Sequence, residues 1–172
     1  MKSVQVLDNF LPDDQFNSLQ SVLMGAGFPW FYNENILRED RNDLFQFVHT
    51  LYDKRRGGAG PYLDLLEVCL HQLGAQDLYR IKANLNPRTE SIRDTGYHID
   101  IDIPDVKTSI LYLNTNNGCT KFSNGKIDSV ANRMVIFDAE IQHTGTTCTD
   151  EKTRVVINFN YLSKEGASVV EE

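Results

Sequence analysis

Lys107-Thr108-Ser109-Ile110-Leu111-Tyr112-Leu113-Asn114, Cys119-Thr120-Lys121-Phe122, Met134-Val135-Ile136-Phe137-Asp138 and Arg154-Val155-Val156-Ile157-Asn158-Phe159-Asn160-Tyr161-Leu162 decide the fold. Each is a short run rich in branched and aromatic residues, and clusters of Asn, Gly, Asp, Pro and Thr separate them. That alternation of strand formers and turn formers is the signature of consecutive β-strands. Residues 78–86 and 97–103 carry the same pattern, so strands are predicted there too. Asn114-Thr115-Asn116-Asn117-Gly118 reads as a turn, and Ser123-Asn124-Gly125 as a hairpin. Strands of this length closing on themselves predict a jelly roll or barrel.

Working outward from this region, the first half is mixed. Val4 and Val6 suggest a short opening strand. Phe16, Leu19, Val22 and Leu23 recur at helical spacing, with Gly25 and Gly27 as stop signals. Pro29-Trp30-Phe31-Tyr32 is β-prone, and residues 44–52 suit either a strand or a helix. A second helix is predicted over residues 62–73, where Tyr62, Leu65, Leu66, Cys69, Leu70 and Leu73 lie on one side and Gly74 closes the run. The expectation is an α+β, mainly β fold. Its core strands lie at about 78–162, its early helices pack on one outer face, and one domain spans 1–172. The chain carries no internal repeat, and its tail after Ser163 has the composition of a frayed end.

Composition narrows the function. The chain has 172 residues and a net charge of −7, so as a whole it repels phosphate backbones, and no nucleic-acid partner is expected. Lys54-Arg55-Arg56 is a local basic run beside glycines and reads as a solvated loop. Cys69, Cys119 and Cys148 are widely spaced, with no C-x-x-C pair for zinc or dithiol chemistry. Free thiols fit a reducing compartment. The N-terminus lacks the apolar core of a signal peptide, and no apolar stretch approaches the roughly 18 residues of a membrane span. A cytoplasmic protein without a membrane partner is expected.

Gly96-Tyr97-His98-Ile99-Asp100-Ile101-Asp102 alternates polar and apolar residues. On a strand, His98 and Asp100 would project from one side. The same pattern also describes an ordinary solvent face, with Tyr97, Ile99 and Ile101 in the core. A second histidine, His143, follows the apolar run 134–138 after a short turn. Two imidazoles and one carboxylate suit one face of an octahedral iron(II), leaving three positions open for a bidentate keto acid and O2. Arg154 opens the last strong strand. A guanidinium entering an apolar barrel is costly unless an anion meets it, and its planar fork suits a carboxylate. Alone, Arg154 could equally reach out to water from the strand end.

With H-x-D, then His, then Arg in order, the chain resembles the 2-oxoglutarate/iron(II)-dependent oxygenases, and within them the prolyl-hydroxylase-like branch. The resemblance rests on Tyr97-His98-Ile99-Asp100, Leu111-Tyr112-Leu113-Asn114, Gly118-Cys119-Thr120-Lys121-Phe122, Val135-Ile136-Phe137-Asp138, and His143 with Arg154. It implies a double-stranded β-helix (jelly-roll, cupin-like) core. It also implies His98, Asp100 and His143 as Fe(II) ligands and catalytic centre, and Arg154 as the partner of the distal carboxylate of 2-oxoglutarate. Tyr112 would be a second donor to that carboxylate, with Thr120 and Val156 lining the same pocket. Family members often carry a tyrosine on the strand before H-x-D. Lys82, Asn84 and Asn86 stand there instead, and Asn84 is the candidate for a co-substrate contact. Asn117-Gly118 replaces the usual Gly-Gly.

The activity implied is hydroxylation of a C–H bond with O2, releasing succinate and CO2. The substrate would be a peptide, a protein or a small molecule, with a peptidyl proline suggested by the branch. Loops at 38–42, 52–60 and 88–95 are the candidates for reading it, the last as a lid. Asp102 is assigned to a loop or to a supporting role, and His49 and His71 have no motif around them. The alternative is a cupin-like metal or small-molecule binding protein without oxygenase turnover. An interaction module with incidental histidines and a zinc hydrolase are further rivals.

Overall fold

The computed structural model describes residues 4–36 and 44–164, and the loop at 38–42 and the tail after Ser163 largely fall outside them. The chain runs β1 (Gln5–Leu7), α1 (Asp13–Leu23), β2 (Phe31–Asn33), β3 (Gln46–Asp53) and β4 (Gly58–Ala59). It continues through α2 (Glu67–Gln72), β5 (Ala75–Pro87), β6 (Lys107–Tyr112), β7 (Cys119–Phe122), β8 (Gly125–Asp128), β9 (Met134–Asp138), β10 (His143–Gly145) and β11 (Thr153–Ser163). A large antiparallel sheet takes the order β1-β9-β6-β11-β5-β3-β2, and β4 pairs with β3. A smaller sheet, β10-β7-β8, completes the expected jelly roll. Among the described residues no helix is long and apolar enough to cross a membrane.

The two faces of the large sheet do different things. Strand side chains alternate, so on β11 Val155, Ile157, Phe159 and Tyr161 point one way and Arg154, Val156, Asn158 and Asn160 the other. The first set joins Ile81 and Ala83 of β5 and Leu111 of β6 in the main core. Both helices cover that face. Helix α1 contributes Phe16, Leu19 and Leu23, starts after Pro12 with Asp13 and Asp14 against its N-terminal dipole, and ends where a Cβ at Gly25 would meet Ser21 O at 2.6 Å. Residues 62–73 do not form one helix as predicted. A 3₁₀ turn, Leu63–Leu66, leads into α2, and Leu66, Cys69 and Leu73 remain inside. Gly74, at φ +60°, ends the run.

The opposite face meets the small sheet through a second cluster of Ile110, Tyr112, Phe122, Val135, Phe137 and Val156. The Ser123-Asn124 turn joins β7 to β8 as a tight hairpin, with Phe122 opposite Gly125. The ambiguous 44–52 segment is strand β3. The predicted strand at 97–103 is absent. Its one ladder contact is an isolated bridge between His98 and His143, and Tyr97 and Ile99 are 48% and 42% exposed. Pro104, without an N–H, lies just beyond, and the preceding Gly96 has φ +102°. The segment crosses between the sheets as a loop.

Asn132 fastens the N-terminal segment to the turn before β9. Its amide accepts from Leu11 N at 2.9 Å and donates to Leu11 O at 2.8 Å, while its backbone sits at φ +60°. Asn132→Ala leaves two buried backbone groups unpaired in a conformation that alanine resists. We expect a loss of about 2–4 kcal/mol in chemical denaturation; a change below about 1 kcal/mol would mean that this staple is dispensable.

Candidate active site

His98, Asp100 and His143 come together in a cleft of about 370 Å³ between the two sheets. Their ligand atoms lie within 4.8 Å of one another. His98 Nε2 is 3.7 Å from Asp100 Oδ1, and His143 Nε2 is 3.8 Å from Asp100 Oδ2. The bridge between the two histidines sets this spacing: His98 N donates to His143 O at 2.9 Å and His143 N to His98 O at 3.0 Å. A shared strand face for His98 and Asp100 was the wrong reason for expecting them together. A loop anchored by one bridge does the job.

Each imidazole is oriented by a carbonyl. His98 Nδ1 lies 3.1 Å from Gly96 O and His143 Nδ1 lies 3.0 Å from Ile141 O. A carbonyl only accepts, so Nδ1 carries the proton and the Nε2 lone pair of a neutral ring faces its partners. Burial lowers the His143 pKa despite the pull of Asp100 and the Ile141 carbonyl, which keeps the ring in the ligating form. Burial pushes the Asp100 carboxyl upward, but His143, Arg80 and His98 and the Asn160 amide outweigh it, and it stays below its usual range. Arg80 Nη2 donates to Asp100 Oδ1 at 3.1 Å, and Thr108 Oγ1 and Asn160 Nδ2 donate to Oδ2 at 3.1 and 3.3 Å.

Arg154 does not reach out to water from the strand end. It is 3% exposed, with Nε donating to Ser129 Oγ at 2.8 Å and Nη2 to Thr120 Oγ1 at 3.2 Å. The guanidinium lies 5.4 Å over the Tyr112 ring. Among the described residues no carboxylate pairs with it. A charge so buried costs several kcal/mol unless met. Gly118 and Gly145 make room for it: a Cβ at Gly118 would stand 2.8 Å from Arg154 Cδ, and one at Gly145 would stand 3.4 Å from Nη1. Gly145 is two residues from His143 on the same face of β10, about 7 Å along the strand, so the guanidinium and the His143 ring share that side of the cleft.

Thr120, Val156 and Asn84 line the cleft. Tyr112 stands behind it: wholly buried, it donates to Thr120 Oγ1 at 2.7 Å. Thr120 Oγ1 thus accepts from both Tyr112 and Arg154, which leaves its own proton to donate into the cleft. Asp102 is an exposed loop residue. His49 is a satisfied core histidine, its Nδ1 2.7 Å from Pro29 O and its ring 4.7 Å from Phe28; His71 is exposed on α2. Lys54 of the basic run is paired with Asp77 at 2.6 Å. The 88–95 segment is tied down rather than free to swing: Thr89 N, Thr95 N and Arg93 N donate to Cys148 O, Gly145 O and Thr147 Oγ1.

Sequence reasoning missed Arg80, Thr108 and Asn160, which hold Asp100. Their signal was the polar alternation Arg80, Lys82, Asn84, Asn86 on β5 and Asn158, Asn160 on β11, against apolar alternate positions.

No protein-family model matches the chain, and no curated protein matches its sequence. Solved structures do. A prolyl-4-hydroxylase from Pseudomonas putida is 15% identical, with a TM-score of 0.63 over 95% of this chain and 94% of that one. A prolyl hydroxylase from Trichoplax adhaerens, in complex with a hypoxia-inducible-factor peptide fragment, is 15% identical, with a TM-score of 0.64 over 100% and 89%. The non-heme α-ketoglutarate-dependent epimerase SnoN of nogalamycin biosynthesis is 12% identical, with a TM-score of 0.64 over 99% and 89%. The chain therefore has the double-stranded β-helix fold of the 2-oxoglutarate-dependent iron oxygenases.

Lys82 is a third cation on the cleft wall, beside Arg80 and Arg154. Burial lowers its pKa from 10.5 to about 8, with Arg80 adding to the shift and Asp100 opposing it. The folded value lies below the unfolded one, so holding the charged amine costs stability in full below about pH 8. That cost fades as the pH rises toward 10.5. Lys82→Met should therefore stabilise the protein by about 1–2 kcal/mol at pH 7, allowing for its partial exposure, and by less at pH 10. Denaturant titrations at the two pH values check this, and an equal gain at both would contradict it.

Proposed function

We propose that this chain, as one domain over residues 1–172, is an Fe(II)- and 2-oxoglutarate-dependent dioxygenase. In this reading it hydroxylates a C–H bond and releases succinate and CO2. The observation that carries the reading is the pairing of two features. A His-Asp-His set with a half-buried His98 presents two nitrogen lone pairs and a carboxylate to one point, and a buried guanidinium without an anionic partner among the described residues lies in the same cleft, about one keto-acid length along it.

The donor set fits iron(II). Two neutral imidazoles and one ionised carboxylate bind through one face, and the cleft leaves the other side open. Iron, when bound, supplies the oxygen and electron chemistry that turns 2-oxoglutarate and O2 into succinate, CO2 and an oxygenated substrate. The protein supplies orientation. Arg154 and the outward-facing proton of Thr120 hold the distal carboxylate, and Tyr112 fixes Thr120. Val156 walls the carbon chain, and Asn84 offers an amide to the co-substrate's other end. Arg80, Thr108 and Asn160 keep Asp100 ionised and aimed. No side-chain general base is required.

A peptidyl proline is the substrate favoured by the likeness to two prolyl hydroxylases, one of them holding a peptide. The epimerase shows the fold serving another reaction. Buried free Cys69, Cys119 and Cys148 fit a reducing compartment such as the cytoplasm. A cupin-like binding protein without turnover gives no reason for the unmatched Arg154.

Under nitrogen, the protein with Fe(II) should develop a weak visible band on adding 2-oxoglutarate, and in air it should form succinate. His98→Ala should lose both, and retained decarboxylation of 2-oxoglutarate would remove the metal assignment. Arg154→Met should keep Fe(II) binding but need about 100-fold more 2-oxoglutarate to develop the band, as expected for a lost charge-assisted pair. An unchanged midpoint would free Arg154 of the role.

A further inference from the structure

Lys82 occupies the middle of the cleft floor. Across the large sheet the pairing register sets Thr50, Lys82, Asn158 and Ile110 in one row. The next row toward Asp100 holds Arg80, Asn160 and Thr108, the three side chains that grip its carboxylate. Among the described residues the Lys82 ammonium has neither an ion-pair partner nor a hydrogen-bond acceptor. Around it, other polar atoms are also unmatched. Arg80 Nε, Asn84 Oδ1, Asn86 Nδ2 and Asn158 Oδ1 are buried without partners, and Asn84 and Asn86 are only 6% and 4% exposed. Lys82, Arg80 and the three asparagines all line the same cleft.

Charge gives the second argument. Among the described lining residues, Arg80, Lys82 and Arg154 stand against one carboxylate, Asp100, in a chain whose net charge is −7. On the reading above, a divalent cation and a dianionic keto acid add no net charge, so the cleft keeps two more positive than negative groups. Arg80 is already paired with Asp100 at 3.1 Å, and Arg154 is met by the keto acid's distal carboxylate. Lys82 alone is left without an anion. It also lies off the co-substrate's path. That path runs from His143 past Gly145 to Arg154 along β10, β7 and the start of β11. Lys82 is one inward-facing position beyond Asn84 on β5, on the side away from Asn86, the residue opposite Arg154.

We propose that the primary substrate presents an oxyanion, a carboxylate or a phosphate, to Lys82, flanked by Arg80, whose Nε is a buried donor without a partner. This rests on the oxygenase reading and sharpens it. A bare prolyl ring leaves Lys82 unmatched, and an acidic group near the oxidised carbon satisfies it. A buried ammonium loses its hydration, and a negative group in the same low-dielectric wall restores the balance. The lowered pKa of Lys82 reports the same unmet charge.

Competitive amine labelling with trace acetic anhydride, read lysine by lysine by mass spectrometry, tests this. The protein is held under nitrogen with Fe(II) and 2-oxoglutarate at fixed ionic strength. Replacing chloride with acetate or with inorganic phosphate should slow labelling of Lys82 at least fivefold and leave the exposed Lys54 and Lys126 nearly unchanged. The stronger of the two anions identifies the substrate's group. No protection by either anion overturns the proposal. Protection by 2-oxoglutarate alone overturns it too, since Lys82 would then serve the co-substrate. The visible band of the same sample reports the underlying reading separately. A band without protection sinks this inference only; protection without a band leaves an anion site with no oxygenase role and overturns the substrate assignment.

Discussion

The site is organised by one buried carboxylate. The Asp100 side chain is 3% exposed, and a carboxylate so placed survives ionised only if its lone pairs are filled. Arg80 of β5, Thr108 of β6 and Asn160 of β11 fill them, so three strands of the large sheet converge on one acid. Asn160 Nδ2 lies 3.0 Å from Thr108 Oγ1 as well as 3.3 Å from the acid, which locks the two donors to each other. The loop that carries Asp100 has no strand of its own to hold it. Its position is therefore set by this acid and by the His98–His143 bridge, which ties it to β10.

The large sheet makes this possible because its two faces have different solvents. Val155, Ile157, Phe159 and Tyr161 face the helices and supply burial, worth roughly 1.5–3 kcal/mol for each large side chain. The intervening Arg154, Val156, Asn158 and Asn160 are thereby free to be polar at fixed spacing. The stability drawn from the first face supports the second, where Arg154, Lys82 and several unpaired amide atoms reduce it. Such a division puts a rigid element behind every residue of the cleft floor.

What the sequence disclosed divides along the same lines. His98, Asp100, His143 and Arg154 were legible because rare residue types stood in an order that a metal and an anion require. The strands at 119–122 and 134–138 were legible because branched and aromatic residues stood between turn formers. The alternation at 97–103 was misleading: period two is also met by a loop whose polar residues turn inward to a common centre while Tyr97 and Ile99 stay partly exposed. Arg80, Thr108 and Asn160 escaped because their role depends on strand register, and a register joining residues 80, 108 and 160 is a long-range property. The single helix predicted over 62–73 was divided by a 3₁₀ turn that leaves the buried positions unchanged, so apolar spacing could not separate the two outcomes.

Polarity also runs along the cleft. At one end a carboxylate and two imidazoles provide electron pairs without protons; at the other a guanidinium and the Thr120 hydroxyl provide protons without electron pairs. A molecule that lies between them must offer an electron-pair donor able to share a cation at the first end and an acid anion at the second, with the two about one keto-acid length apart. The apolar wall at Val156 and Ile110 is suited to the carbon chain that joins those ends. Lys82 stands outside this axis, one strand farther along the sheet, where a molecule bound end to end leaves it without an anion. An unmatched charge on the remaining wall is therefore a statement about the second molecule to enter, and the register of β5 against β11 holds Lys82 two inward-facing positions from Asn86, the residue opposite Arg154.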